Sequence, residues 1–256
     1  MGSGLSGRVA VVTGASKGIG LAVVQALAGE GARVVAGARH SSSGLDGLDS
    51  VQVVEGDLAL PDGPGRLVAA AGDRIDVLVN NLGAAPPRTS GFLSVTDEQW
   101  LDSLNLNLMG AVRATRAVLP AMLRQGSGSI VNIGSVNASL ADPLVIDYSA
   151  GKAALAAFAK ALSKEVGPKG IRVNTVSPGP VATDLWLGEN GVASTVGEAT
   201  GTRPEDVRAG AEGAMATGRF SRPDEVAELV VMLAGDRTAN VTGAEFRIDG
   251  GMVPTW

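Results

Sequence analysis

Two kinds of apolar pattern alternate along the chain. Short runs rich in β-branched residues and bounded by turn residues ("VAVVTG", "ARVVAG", "VQVVEGD", "IDVLVNN", "GSIVNIG" and "GIRVNTVSPG") are separated by stretches of helical period. Nearly continuous apolar runs are what strands covered on both faces need, and the helices between them are what parallel crossovers supply. An α/β chain of parallel βαβ units is expected. The later helical stretches are long, at about 97–125, 147–166 and 222–234. No repeat, low-complexity tract or charged linker interrupts the alternation, so 1–256 is read as a single domain. One segment, 185–220, is rich in Gly, Ala and Thr and has no clear place in the pattern. Loops of that length in a compact domain are usually functional, and a substrate lid is expected there; an insertion that merely packs is the alternative.

Composition removes several function classes. With 45% hydrophobic and 18% charged residues the chain can bury a full core. A net charge of −5 does not provide the basic face that a phosphate backbone requires, so no nucleic-acid partner is expected. There is no cysteine and only one histidine, His40, which leaves no thiolate nucleophile, no disulfide framework and no zinc cluster; no metal is expected. No apolar run approaches the ~18 residues of a membrane span, and "VAVV" is too short for a signal peptide. A cytoplasmic protein with no membrane partner follows as the expectation. "MGSGLS" meets the loose myristoylation pattern through Gly2 and Ser6, a pattern short enough to match by chance.

Two stretches carry candidate chemistry. "VAVVTGASKGIG" sets Gly14, Gly18 and Gly20 directly after a strand and at the start of a helix, where missing Cβ atoms allow a tight turn and close approach to a pyrophosphate. Ser16, Lys17 and Ile19 complete this loop. "YSAGK" places Tyr148, the only tyrosine, four residues before Lys152, so the two stack on one helix face. That spacing suits an ordinary surface pair. It equally suits an ammonium that lowers the phenol pKa toward neutrality, which takes on the order of 4 kcal/mol for a group that titrates near ~10.

The glycine loop, "NNLG" at 80–83, "NLMG" at 107–110, "IGS" ending at Ser135, "YSAGK", "SPGPVATD" at 177–184 and "TGAEFRIDGG" occur in an order that resembles the short-chain dehydrogenase/reductase family. The resemblance implies a doubly wound parallel sheet of about seven strands with helices on both faces, a Rossmann fold. It implies hydride transfer between a nicotinamide dinucleotide and a carbonyl or secondary alcohol. Tyr148 would be the general acid or base, and Lys152 would lower its pKa and bind the nicotinamide ribose. Ser135 would bond the substrate oxygen; Asn107 would kink its helix and hold a water that relays protons. Asn105, the rival asparagine, is read as solvated.

For the cofactor the resemblance implies contacts from Gly14, Ser16, Lys17, Gly18, Ile19, Gly20, Asp57, Leu58, Asn81, Gly83, Pro178, Gly179, Val181 and Thr183. Relatives that prefer NAD carry an acid after the second strand, where this chain has Ala38 and then Arg39; NADP(H) is therefore expected, with NAD(H) as the alternative. Ser135, Asn137, Tyr148, Leu185 and Trp186 are the expected substrate contacts in a mostly apolar pocket that favours ketone reduction. Arg88, Asp142 and Asp147 are read as rim charges. A reductase of 3-oxoacyl-[acyl-carrier-protein] esters is a second reading, weakened because Ser127 and Ser129 stand where that group carries arginine, leaving Lys169. A non-catalytic dinucleotide sensor is a third, and such relatives typically lack the tyrosine or lysine. The family usually forms homotetramers through the long helices, and Trp256 is expected to bury against a neighbour.

The chain also departs from its relatives. "RHSSSGLDGLDSV" is too short and too rich in Gly and Ser for the helix usual there, Leu82 replaces an alanine, Gly134 stands where many relatives have serine, and the helix near 61–71 is short.

Overall fold

A computed structural model describes residues 2–255; the contact expected of Trp256 lies outside them. Seven strands, β1 (Val9–Thr13), β2 (Arg33–Ala38), β3 (Val51–Glu55), β4 (Val77–Asn80), β5 (Gly128–Ile133), β6 (Ile171–Pro178) and β7 (Glu245–Ile248), pair in the order β3-β2-β1-β4-β5-β6-β7. Every pairing is parallel. Alternate strand residues face opposite layers, as the pleat demands. Ala10 and Val12 face one helix layer, α1 (Gly18–Gly29) and the last helix, whereas Val9 and Val11 face α2 (Gly63–Ala71) and the two long helices. Because both faces are covered, all five residues of β1 are buried. This explains why the strands read as continuous apolar runs.

The long stretch at 97–125 is not one regular helix. It consists of α3 (Asp97–Leu104), a π-helical turn over Asn105–Met109 and α4 (Gly110–Gln125). Next come α5 (Ile146–Val166), α6 (Asp184–Leu187), α7 (Val192–Thr200), α8 (Pro204–Gly213) and α9 (Pro223–Ala234). The segment read as a long loop is thus mostly helical, which corrects that expectation. Its helices are short and punctuated by glycine, and they pack through a few large residues: Met215 and Phe220 are buried, and Trp186 meets Phe220 edge-on at 5.1 Å. The link between β2 and β3 holds turns and no α-helix, as its composition suggested.

Strand order reverses direction between β1 and β4, and in parallel sheets such a switch point opens a crevice at the carboxyl ends of the strands. The opposite end is closed by charge. Asp76, 6% exposed, precedes β4 and accepts from the Val9 amide at 2.9 Å, from Arg8 Nη1 at 3.0 Å and from Arg74 Nε at 3.0 Å. Burial pushes its carboxyl up, but the Val9 amide and the two guanidiniums outweigh that and hold it below the usual carboxylate value. Asp76→Ala should cost about 2 kcal/mol, less than a fully buried pair because both arginines face solvent. The contribution should be complete above the unfolded carboxyl pKa and fade as pH falls through the lower folded one. Denaturant unfolding of both proteins at neutral and acidic pH checks this: the difference between them should shrink in acid.

Candidate active site

The ends of β1 and β4 are stitched together at the switch point. Thr13 Oγ1 accepts from the amides of Asn81 at 3.0 Å and Leu82 at 3.2 Å. In return Asn81 Nδ2 donates to the carbonyls of Thr13 at 3.1 Å and Gly14 at 2.8 Å. A Cβ on Gly20 would lie 2.5 Å from Asn81 Nδ2 and closer still to the Gly14 carbonyl, so only glycine fits. Amides in the first turn of α1 have no intrahelical acceptor, and the positive end of the helix dipole points out of the same loop. The resulting cradle suits a phosphate. Ser16, Gly18 and Ile19 are half-buried on it, while Lys17 is exposed and lies 3.7 Å from the exposed Asp184 at the start of α6.

Beyond the loop, Ala38 is buried at the end of β2 and Arg39 is exposed just past it, with no carboxylate partner among the described residues. Asp57 is exposed and caps the Ala59 amide at 2.9 Å. Leu58 is 4% exposed and belongs to the core, so its side chain is already committed. At the end of β6, Pro178 and Val181 are buried, the Gly179 amide bonds the Ile248 carbonyl at 3.0 Å, and Thr183 packs where a Cβ on Gly18 would point.

The second cluster sits where β4, β5 and α5 meet. Lys152 is 3% exposed and donates to the Ile133 carbonyl at the end of β5 at 2.8 Å. One turn earlier is the half-buried Tyr148, with Lys152 Nζ 5.6 Å from its ring centre. Ser135 follows β5; its Oγ accepts from the Asn137 amide and lies 3.1 Å from Asn137 Oδ1. Asn107, 1% exposed, lies in the π-helical turn; its Oδ1 accepts from the Ala84 amide at 3.1 Å and its Nδ2 donates to the carbonyls of Ala84 and Ser103, each at 3.0 Å. The α carbon of Gly83 joins these groups, because a Cβ there would lie 2.8 Å from Asn107 Oδ1 and 3.4 Å from Lys152 Nζ.

Burial shifts both members of the tyrosine–lysine pair toward their neutral forms. The Lys152 ammonium is lowered to about 8. The Tyr148 phenol is raised above its ordinary value, with the Ser135 hydroxyl opposing the rise. This reverses the expected direction for Tyr148. Desolvation of the phenolate is the larger cause, and the Ser135 hydroxyl offsets it only in part.

Two further expectations need correcting. Asn105 is half-buried, donating to the Ala59 carbonyl at 3.1 Å and accepting from Arg113 at 2.6 Å, so it ties its helical stretch to the turn before α2 and is not a solvated residue. Asp147 and Arg88 are not rim charges. Asp147 is completely buried and takes both Nε and Nη2 of Arg88. Asp142 is exposed, as read, and caps the Leu144 amide. Leu140 and Leu185 are exposed apolar side chains of the segments beside the cluster, and Trp186 is half-buried. Sequence reasoning missed the Thr13 stitch, although a hydroxyl directly before the first loop glycine was a signal. It also missed the Arg88–Asp147 pair, for which two charges 59 residues apart offer no local signal.

A glycine loop at the switch point of a parallel sheet, beside a clustered Tyr, Lys, Ser and Asn, defines a dinucleotide-dependent oxidoreductase. The chain belongs to the short chain dehydrogenases, whose family profile matches residues 8–190. Among its relatives is the 3-oxoacyl-[acyl-carrier-protein] reductase FabG of Escherichia coli (strain K12), 34% identical over 254 residues, covering 96% of this chain and 97% of that one. FabG of Thermotoga maritima is 36% identical over 265 residues, covering 97% and 99%. The crystal structure of L-sorbose reductase from Gluconobacter frateurii, complexed with NADPH and L-sorbose, superposes with a TM-score of 0.91 at 32% identity over 100% of both chains.

The lowered Lys152 pKa has a consequence for stability. Between about 8 and the ~10.4 of an unfolded lysine, the unfolded chain binds a proton that the native chain does not. Native stability should therefore rise with pH across that window relative to Lys152→Met, which lacks the titration. Paired denaturation curves at pH 7.5 and pH 9.5 measure it, and equal differences at the two values would contradict the assignment.

Proposed function

We propose that this enzyme reduces a neutral ketone to a secondary alcohol with NADPH, Tyr148 supplying the proton. The observation that carries the reading is the placement of Tyr148 one helical turn from the buried Lys152, whose ammonium is bonded at the end of β5, the strand that Ser135 follows. A tyrosine carries its proton near neutrality, so it can serve as the donor when a ketone is reduced.

The residues fit the cofactor: glycines let the loop after β1 turn tightly against Asn81 and Thr183 at the start of α1, where a helix N-terminus suits a pyrophosphate. Arg39, which follows Ala38 at the place where an acid would repel a 2′-phosphate, suits that group. When bound, the nicotinamide supplies the hydride. Ser16, Lys17 and Ile19 would flank the phosphates, and Asp57, the Leu58 backbone, Asn81 and Gly83 the adenosine side and ribose. Pro178, Gly179, Val181 and Thr183 would border the nicotinamide. Lys152 would hold the ribose hydroxyls. Ser135 would turn its hydroxyl from Asn137 to the substrate oxygen, where negative charge grows as hydride arrives. Asn107 Oδ1 keeps one lone pair for a water that relays protons toward Lys152.

The substrate is neutral on this reading because Leu140, Leu185 and Trp186 offer an apolar wall and Arg88 is already spent on Asp147. The segment from α6 to Phe220 would act as the lid. The named relatives favour a second reading, an acyl-carrier-protein β-ketoester. Against it, Ser127, Ser129 and Lys169 lie at the starting ends of β5 and β6, whereas Ser135 follows the other end of β5. No helix among the described residues is long and apolar enough to cross a membrane; with cysteine absent, a cytoplasmic location is proposed. A homotetramer through α4 and α5 is proposed too, with Leu101 and Leu123 exposed on the α3–α4 stretch; sedimentation reads it.

Mixing the protein with NADPH and a panel of ketones and β-ketoacyl thioesters, and following absorbance of the reduced cofactor, separates these readings. Tyr148→Phe should lose at least about 10² to 10⁴ of turnover while NADPH still binds; retained activity would refute the assignment. Arg39→Ala should weaken NADPH but not NADH, by about 1.5–3 kcal/mol for one charge-assisted bond. Equal loss for both cofactors in a binding titration would contradict the 2′-phosphate contact.

A further inference from the structure

The loop that follows β4 is pinned at two points. At Ala84 both backbone groups bond Asn107. At Arg88 the amide donates to the Leu144 carbonyl at 2.6 Å, and the guanidinium grips Asp147 with Nε–Oδ distances of 3.2 Å and an Nη2–Oδ2 distance of 2.5 Å. Pro86 and Pro87 lie between these points, and two fixed φ angles make the span a strut with little slack. One end of the strut holds Asn107 and Gly83 beside Lys152. The other ends on the residue directly before Tyr148.

We propose that Arg88 and Asp147 form a positioning unit that sets where Tyr148 stands relative to Lys152 and to the reacting carbonyl, resting on the catalytic reading given above. Three observations support this. The side chain of Asp147 is 0% exposed and that of Arg88 13%, and a buried ion pair is seldom the most stable filling of such a space; an apolar pair of similar volume does as well or better. The pair therefore contributes geometry that an apolar filling would not. Asp147 directly precedes Tyr148 in the first turn of α5, so movement of the strut that its carboxylate grips is passed along the helix backbone to the tyrosine. Finally, the bidentate fork leaves no oxygen of the fully buried carboxylate for solvent or substrate, which makes Asp147 a brace for its neighbour and not a contact in the reaction.

The deciding experiment replaces the charges without leaving one of them buried alone. Arg88→Met with Asp147→Leu in the full chain should retain the melting temperature and NADPH affinity, because an apolar pair fills the space. Its kcat with a ketone that the unaltered enzyme turns over should fall at least about tenfold, with KM changed less than about threefold, as expected for a misplaced proton donor. Arg88→Lys keeps the charge but not the fork, and should lose at least about threefold in kcat at unchanged KM. A double variant that folds with unaltered kcat would reduce the pair to a structural filling. A rise in KM at constant kcat, in either variant, would make Arg88 a substrate contact; both results overturn the proposal, and so does unaltered kcat in Arg88→Lys should the double variant not fold. Tyr148→Phe is assayed in parallel. If it stays active, the catalytic reading itself fails; if it is inactive while the Arg88 and Asp147 variants are fully active, only the positioning unit fails.

Discussion

The interaction on which this site depends is the bond from the Lys152 ammonium to the Ile133 carbonyl at 2.8 Å. It fixes the head of a buried lysine at the end of β5, next to the central strand β4, and one helical turn from the only tyrosine. Taking the ammonium out of water lowers it to about 8, and burial moves the Tyr148 phenol up from its ordinary value. Near neutrality the pair therefore consists of a cation suited to ribose hydroxyls and an acid suited to a ketone oxygen. Two side chains thus carry two roles, and their shared environment assigns them.

The remainder of the fold brings that pair to a dinucleotide. Parallel strands collect their carboxyl ends on one side, and the switch between β1 and β4 opens the space in which the α1 cradle stands. Asn81 and Thr13 hold the two strand ends together, while Asp76 with Arg8 and Arg74 ties the opposite ends of the same strands. Between these ties the sheet offers a fixed frame. The loop from Ala84 to Arg88 then links that frame to the π-helical turn through Asn107 and to the start of α5 through Asp147, the residue before Tyr148, while Lys152 is tied separately to the end of β5.

Much of this was legible in the order of residues. Apolar runs marked six of the seven strands because both faces of a parallel sheet are covered, while β7 was implied only by the family resemblance, and glycines after the first run marked the cradle because nothing larger fits there. What stayed hidden depends on contacts between distant parts of the chain. The resemblance implied an irregularity at Asn107, but the π-helical turn at Asn105–Met109 that produces it adds a residue to a helix whose apolar pattern reads as continuous. Helices α6 to α8 are short and interrupted by glycine, so their pattern resembled a loop, although Pro204 followed by Glu205 and Asp206 was a helix start in plain view. Arg88 and Asp147 looked like surface charges because nothing near either one in sequence reveals the other. The direction of the Tyr148 shift could not be read from a motif, since it is set by how dry the site is, with the Ser135 hydroxyl opposing.

The central claim is that the surroundings of Tyr148 raise its phenol above the ordinary value. Tyr148 is the only tyrosine, and tryptophan side chains do not ionise in this range, so phenolate absorbance reports this residue alone. A spectrophotometric pH titration of the protein without cofactor measures it directly. The account predicts a midpoint above the ~10 of a free phenol. A phenolate signal that develops at or below pH 9 would contradict it.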